Sequence, residues 1–357
     1  MDEADDLMVL VPALLQSLEV LGFVARHLNP PDVYELMAAI GQPEDILAAT
    51  GPKLGKWPEH LGSLRTALET ASDQVLTSFT RLREAAEQGD GTRLAYRALR
   101  GLPLAEEALY PFAAQMAPIS RYFLQNAMRG DGGLLERLAQ GSGRDDVGVA
   151  HFSNEPGSRG GFSLYVPETY APDVAAPLVM ALHGGGGNGR GFLWSWLRDA
   201  RSRGAILIAP TAVGETWAIS GPDRDTPNLS RILEFVMGRW NIDPSRRLLT
   251  GMSDGGTFSY VSGLESGSPF THLAPVAAAF HPMLAQMADQ KRLSGLPLFI
   301  GHGVLDWMFQ VDMAREAHSA LSAAGADVTY REIADLSHTY PRELNAEIMD
   351  WLIQPRP

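Results

Sequence analysis

The stretch Arg247-Leu248-Leu249-Thr250-Gly251-Met252-Ser253-Asp254-Gly255-Gly256 decides how this chain is read. It opens on a short, largely apolar run of strand character, and Thr257 to Gly263 behind it suits a helix. Between them stands G-x-S-x-G, a nucleophile elbow in the strand-turn-helix context that gives the pattern meaning. The turn is tight enough to exclude side chains two residues before and two residues after the Ser. The helix start that follows favours developing negative charge. Alone, the motif would read as a glycine-rich turn with an incidental Ser.

It is not alone. Val179-Met180-Ala181-Leu182 runs into His183-Gly184-Gly185-Gly186-Gly187-Asn188, where bare backbone can turn N–H groups toward a substrate oxygen. Gly184, Gly186 and Gly189 also satisfy G-x-G-x-x-G, the dinucleotide fingerprint. That fingerprint calls for a ribose-binding acid about 20 residues on, at the end of the next strand. Ala209-Pro210-Thr211 supplies none, so the dinucleotide reading is set aside.

A Ser hydroxyl is a weak nucleophile near neutral pH and needs an imidazole base, itself held by a carboxylate. Of nine His residues, His27 and His60 lie in helical sequence, His151 precedes the first sheet strands, His183 and His302 sit beside strand-end glycines, and His318 is mid-helix. In the chain order Ser, acid, base, His338 remains, in a loop after the strand-like Val328 to Ile333. The acid should leave the end of the preceding strand, where Pro297-Leu298-Phe299-Ile300-Gly301-His302-Gly303 leads to Asp306. Asp306 fits best. Asp312, at a helix start, and Asp335, three residues before His338, are its rivals.

The glycine loop, G-x-S-x-G-G, a strand ending in H-G-x-x-D and a late Ser-His together span roughly residues 160 to 355. In these motifs the chain resembles the α/β-hydrolase superfamily, nearest the phospholipase/carboxylesterase group, with feruloyl-esterase and polyester-depolymerase relatives close by. The resemblance implies an α/β-hydrolase fold, a mostly parallel sheet with helices on both faces. It also implies Ser253 as nucleophile, Asp306 as acid and His338 as base, with an oxyanion hole from the N–H groups of Asp254 and Gly185. The acyl-protein thioesterase branch usually has Gln after the nucleophile and a less glycine-rich loop. Asp254 and Gly184 to Gly187 depart from that branch, which bears on the substrate rather than the chemistry.

Elsewhere the sequence sets the frame. At 357 residues, with domains of about 150 each, two domains are expected. Up to about residue 130 the apolar positions recur at helical spacing, as in Leu64, Leu68, Ala71, Val75, Phe79 and Leu82. Gly and Pro cut this region into roughly five to seven helices. Residues 1–130 therefore read as an all-helical domain serving as a cap, a dimerisation module or a docking unit. Residues 131–148 read as a linker around a short helix at Leu134 to Leu138, and 149–357 as the catalytic domain. In that domain Pro177 to Leu182, Ala205 to Ile208, Arg247 to Thr250, Leu273 to Ala278 and Leu298 to Ile300 read as strands.

Twenty-nine Lys and Arg against 42 Asp and Glu give a net charge of −13, which disfavours nucleic acid and acidic lipid as partners. The absence of cysteine removes disulfides, thiolate metal sites and a Cys nucleophile. The start Met1-Asp2-Glu3-Ala4-Asp5-Asp6 lacks the basic opening of a secretory leader, so a cytoplasmic location is expected. Thr271 to Ala288, the longest charge-free run considered, contains Pro275 and Pro282 and reads as a strand and loop, with no membrane span expected.

The expected reaction is two-step acyl transfer on a small or medium apolar or aromatic ester, with no cofactor and no metal required. Trp194, Trp217, Phe280 and Trp307 follow strand ends and are candidates for the substrate pocket. A thioesterase or serine peptidase on the same residues, and a binding protein on a silent hydrolase scaffold, are the alternatives. A homo-oligomer formed through the helical domain is a further expectation.

Overall fold

The computed structural model describes residues 3–50, 57–88 and 91–355. The chain divides into two compact units, Met1–Leu135 and Glu136–Pro357.

The first unit is helical. Its two long helices, Glu3–His27 and Gly62–Glu87, owe their form to apolar residues recurring at three- and four-residue steps. Leu10, Leu14, Leu18, Leu21 and Val24 on the first, with Leu68, Ala71, Val75, Phe79 and Leu82 on the second, are wholly buried. Tyr122 and Phe123 are buried as well. Their rings meet edge to face at 5.1 Å, and the Tyr122 hydroxyl donates to Glu106 Oε1 at 2.9 Å. Within the first helix, Asp5–His27 is long and apolar enough to cross a membrane by length and composition. Glu19 divides its apolar stretch, so it does not stand out in the sequence as a charge-free run. Its Met8, Val9 and Phe23 are exposed.

The segment expected as a linker, 131–148, is helical over Gly132–Gly141, longer than the short helix foreseen there. The division between the units falls inside that helix.

The second unit is built on one eight-stranded sheet: β1 (Gly148–Phe152), β2 (Phe162–Val166), β3 (Ala176–Leu182), β4 (Ile206–Pro210), β5 (Ile242–Met252), β6 (His272–Val276), β7 (Pro297–Gly303) and β8 (Asp327–Ile333). The spatial order is 1-2-4-3-5-6-7-8. β1 pairs antiparallel with β2, and β2 with β4; every pairing from β4 to β8 is parallel. This is the α/β-hydrolase arrangement expected from the motifs. All residues of β2, β3, β4 and β6 are buried, as they must be in strands covered on both faces. Helices Gly189–Arg203, Asp254–Gly263 and Val311–Ala323 follow β3, β5 and β7. Asn188 caps the first of these, its side-chain oxygen accepting from the Gly191 N–H at 2.8 Å. The connections after β3, β4, β5 and β7, together with the loop after β8, leave from the carboxyl ends of parallel strands, where open α/β sheets gather their chemistry.

Candidate active site

β5 ends at Met252, and Ser253 takes φ 57° and ψ −121°, a conformation that costs an L-residue on the order of 1–3 kcal/mol. The geometry is imposed from both sides. The Ser253 N–H donates to Val276 O on β6 at 3.0 Å, and its carbonyl accepts from the Thr257 N–H at 2.8 Å. A Cβ on Gly251 would sit 2.5 Å from the Gly255 carbonyl, and one on Gly255 would sit 2.4 Å from the carbonyl oxygens of Leu182 and His183. Both glycines of the elbow are thus required by backbone packed against backbone.

Three residues remote in sequence meet at this turn. His338 Nε2 lies 3.0 Å from Ser253 Oγ, and His338 Nδ1 lies 2.8 Å from Asp306 Oδ2. With the carboxylate ionised, Nδ1 carries the proton and Nε2 is free to accept one from the hydroxyl. Ser253, Asp306 and His338 are all buried. The other oxygen of Asp306 accepts from the N–H groups of Met308 at 2.9 Å and Phe309 at 2.8 Å, which fixes the carboxylate plane. Burial pushes the Asp306 pKa up. The hydrogen bonds from His338 and Phe309, with the two neighbouring imidazoles, more than offset this and hold it below the ordinary carboxylate value. The Leu305 N–H donates to Leu336 O at 2.9 Å, tying the loop of Asp306 to the loop of His338. The rival acids do not enter this group: Asp312 pairs with Arg315 on the surface, and Asp335 is exposed.

His302 is a contact that motif reading leaves unexplained. It is buried, its Nε2–H donates to Phe309 O at 2.8 Å, and the same nitrogen lies 3.5 Å from Asp306 Oδ2. Burial lowers its pKa and keeps it neutral. Phe309 is therefore gripped at both ends, its carbonyl by His302 and its N–H by Asp306.

The glycine loop after β3 is equally constrained. It turns through a Gly187 N–H to Gly184 O bond of 3.0 Å, with Gly186 at φ 65°. His183 donates from Nδ1 to Gly184 O at 2.7 Å and accepts at Nε2 from the Ala212 N–H at 3.1 Å. Burial pushes the His183 pKa down to about 4, so the neutral tautomer these bonds require is the one present at neutral pH. Trp217 Nε1 donates to His183 O at 2.7 Å, and Arg159 donates to Gly187 O at 2.9 Å. The N–H groups of Gly185 and Asp254 have no acceptor among the described residues. They flank the Ser253 turn, one on the glycine loop and one at the start of the elbow helix.

The four expected pocket aromatics separate. Trp194 is buried within helix Gly189–Arg203, and Trp217 is buried, stacked on Phe258 at 5.5 Å while it braces His183. Phe280 is buried edge-on against Tyr260 at 5.1 Å. These three are packing residues, because a position after a strand end does not say which way the side chain turns. Trp307 differs: it is half exposed, with its ring 6.5 Å from that of His338. Its loop neighbours Val304, Leu305 and Met308 are also substantially exposed, so the loop that carries the buried Asp306 bears several exposed apolar side chains. Among the described residues no cluster of His, Cys, Asp and Glu is arranged to hold a metal ion.

No family model matches the chain. One stretch is 29% identical over 164 residues to a bifunctional acetylxylan esterase/xylanase of Neocallimastix patriciarum, covering 44% of this chain and 23% of that protein. A probable feruloyl esterase C of Aspergillus terreus is 31% identical over 116 residues, covering 30% of this chain and 43% of that protein. The chain thus spans less than half the length of these curated relatives. Among solved structures, a ferulic acid esterase superposes with a TM-score of 0.49 at 16% identity, over 57% of this chain and 96% of that one.

Proposed function

We propose that this chain is a serine carboxylester hydrolase. The observation that carries the reading is the continuous hydrogen-bonded line from Ser253 Oγ through His338 to Asp306, beside two backbone N–H groups left without acceptors. In the first step Ser253 Oγ attacks the ester carbonyl while its proton passes to His338 Nε2. Asp306 stabilises the imidazolium, and the N–H groups of Gly185 and Asp254 receive the oxyanion. The C–O bond to the leaving alcohol breaks as His338 returns the proton to it, leaving an ester on Ser253. Water, deprotonated by His338, repeats the sequence and releases the acid. Every proton is accounted for by one imidazole, so the chain's own residues suffice for the reaction.

A small or medium ester with an apolar or aromatic part is the substrate class. The half-exposed Val304, Leu305, Trp307 and Met308 support it, since apolar surface grouped beside reactive residues gains by covering itself with substrate. The two relatives, named an acetylxylan esterase/xylanase and a probable feruloyl esterase, agree with ester chemistry.

The test is a panel of nitrophenyl esters of increasing acyl length, run beside thioester and amide analogues, with a fluorophosphonate probe mapped by mass spectrometry. Turnover should favour the esters, the probe should attach at Ser253, and Ser253→Ala should lower kcat by about 10⁶-fold. Undiminished turnover in that variant would sink the reading.

A further inference from the structure

The side chain that follows the nucleophile has no part in the chemistry above, yet it is placed with care. Asp254 opens the elbow helix, and its carboxylate lies against Gly185: a Cβ there would come 2.7 Å from Oδ2. The same Oδ2 accepts from Thr216 Oγ1 at 2.5 Å. The segment that carries Thr216 is held from several directions. Trp217, next to it, donates to His183 O, while the buried Asp225 takes the N–H groups of Val213 at 2.8 Å and Ala218 at 2.8 Å. Oδ1 has no donor, and the carboxylate has no cationic partner, among the described residues. The nearby Arg159 spends its guanidinium on the carbonyls of Gly187 and Glu215 instead. A carboxylate with one open acceptor therefore lies against Gly185, whose N–H is one of the two proposed to hold the oxyanion.

An ionised carboxylate works against a developing oxyanion, because like charges a few ångströms apart repel strongly where the effective dielectric is well below that of water. It is tolerable where the substrate brings a hydrogen-bond donor to it, and prohibitive where the substrate brings a second anion. Resting on the hydrolase reading above, we infer that Asp254 is a specificity-determining residue. It selects neutral esters that carry a hydroxyl close to the ester carbonyl, and it excludes esters that carry a carboxylate there. The chain's net charge of −13 disfavours anions at long range, but that field is screened within about 8 Å at physiological salt, whereas the contact at Asp254 is not.

The experiment compares kcat/KM for ethyl propanoate, ethyl lactate and monoethyl malonate at 0.15 M salt, a set of similar size that differs in bearing nothing, a hydroxyl or a carboxylate. The native chain, Asp254→Asn and Thr216→Val are each measured. Taking ratios within each protein cancels any general loss of activity. In Asp254→Asn the malonate-to-propanoate ratio should rise roughly tenfold and the lactate preference should fall. Thr216→Val keeps the charge, so it should keep the exclusion of malonate while weakening the preference for lactate. All three proteins are also treated with the fluorophosphonate probe. If Ser253 labels and the Asn variant's ratios stay within twofold of native, the inference is overturned while the hydrolase reading stands. If Thr216→Val admits malonate as well as Asp254→Asn does, charge is not the cause and the inference again falls. If the native Ser253 does not label and no ester turns over, the hydrolase reading itself has failed and takes this inference with it.

Discussion

The two units of this protein obey different kinds of constraint. In the helical unit, the buried faces of Glu3–His27 and Gly62–Glu87 ask only that apolar side chains recur every three or four residues, and many sequences meet that demand equally well. In the sheet unit, a handful of positions admit almost one residue each. Gly255 abuts two carbonyl oxygens, Ser253 holds a positive φ, and His183 needs one tautomer to satisfy Gly184 and Ala212 together. Degenerate constraint yields a stable body with no visible purpose. Narrow constraint leaves a signature that chemistry can be read from.

That contrast can be broken by substitution. Phe79→Ala removes a wholly buried ring from the helical unit and should cost about 3–5 kcal/mol of that unit's stability. Denaturant unfolding followed by far-UV circular dichroism would show this, and ester turnover per folded molecule should stay near native. If turnover collapses while the fold persists, the helical unit is part of the chemistry and the contrast fails.

A smaller effect should be visible as pH falls. The unfolded chain binds a proton at His183 near pH 6.5, whereas the folded chain does not until about pH 4. Between those values the unfolded state holds more protons, so stability drops with falling pH, by on the order of 3 kcal/mol from this residue. Below about pH 4 it contributes no further loss. His183→Asn, which has no titration there, should flatten that part of the stability profile. An unchanged slope would mean that another group carries the acid sensitivity.

Smaller again is His302→Leu. With the Phe309 carbonyl released, Asp306 loses part of its grip, and kcat should fall by about 10- to 100-fold with KM little changed. His302→Gln, which keeps an N–H donor, should recover part of the loss. A downfield imidazole proton resonance from His338 Nδ1 should shift in the Leu variant. Identical spectra and rates would make His302 mere filling.

Much of the sheet unit is legible in sequence because its elements are tied to local patterns. β3, β4, β6 and β7 follow from apolar runs to within a few residues at their ends, while β5 begins at Ile242, ahead of the apolar run that marks it. β1 and β2 escape that reading. They are five residues each, β1 is only partly buried, and β2 is buried throughout, so neither shows alternation. That Ser253, Asp306 and His338 come within hydrogen-bond reach of one another can be anticipated from chain order, because each sits where a strand end or a loop leaves little choice. Trp194, Trp217 and Phe280 mislead, since sequence position gives the strand end and not the direction of the ring. The bond from Thr216 to Asp254 joins residues 38 apart and leaves no local trace. The helix Glu3–His27 is less visible for a simpler reason: Glu19 divides its apolar stretch.

The backbone at residue 253 carries an evolutionary consequence. A glycine there would rest in the same φ and ψ at ease, so a disabled chain should outlast a working one under heat. Screening libraries of this protein for thermal endurance alone would drift toward losing its hydroxyl, and only a concurrent demand for turnover would hold the serine in place.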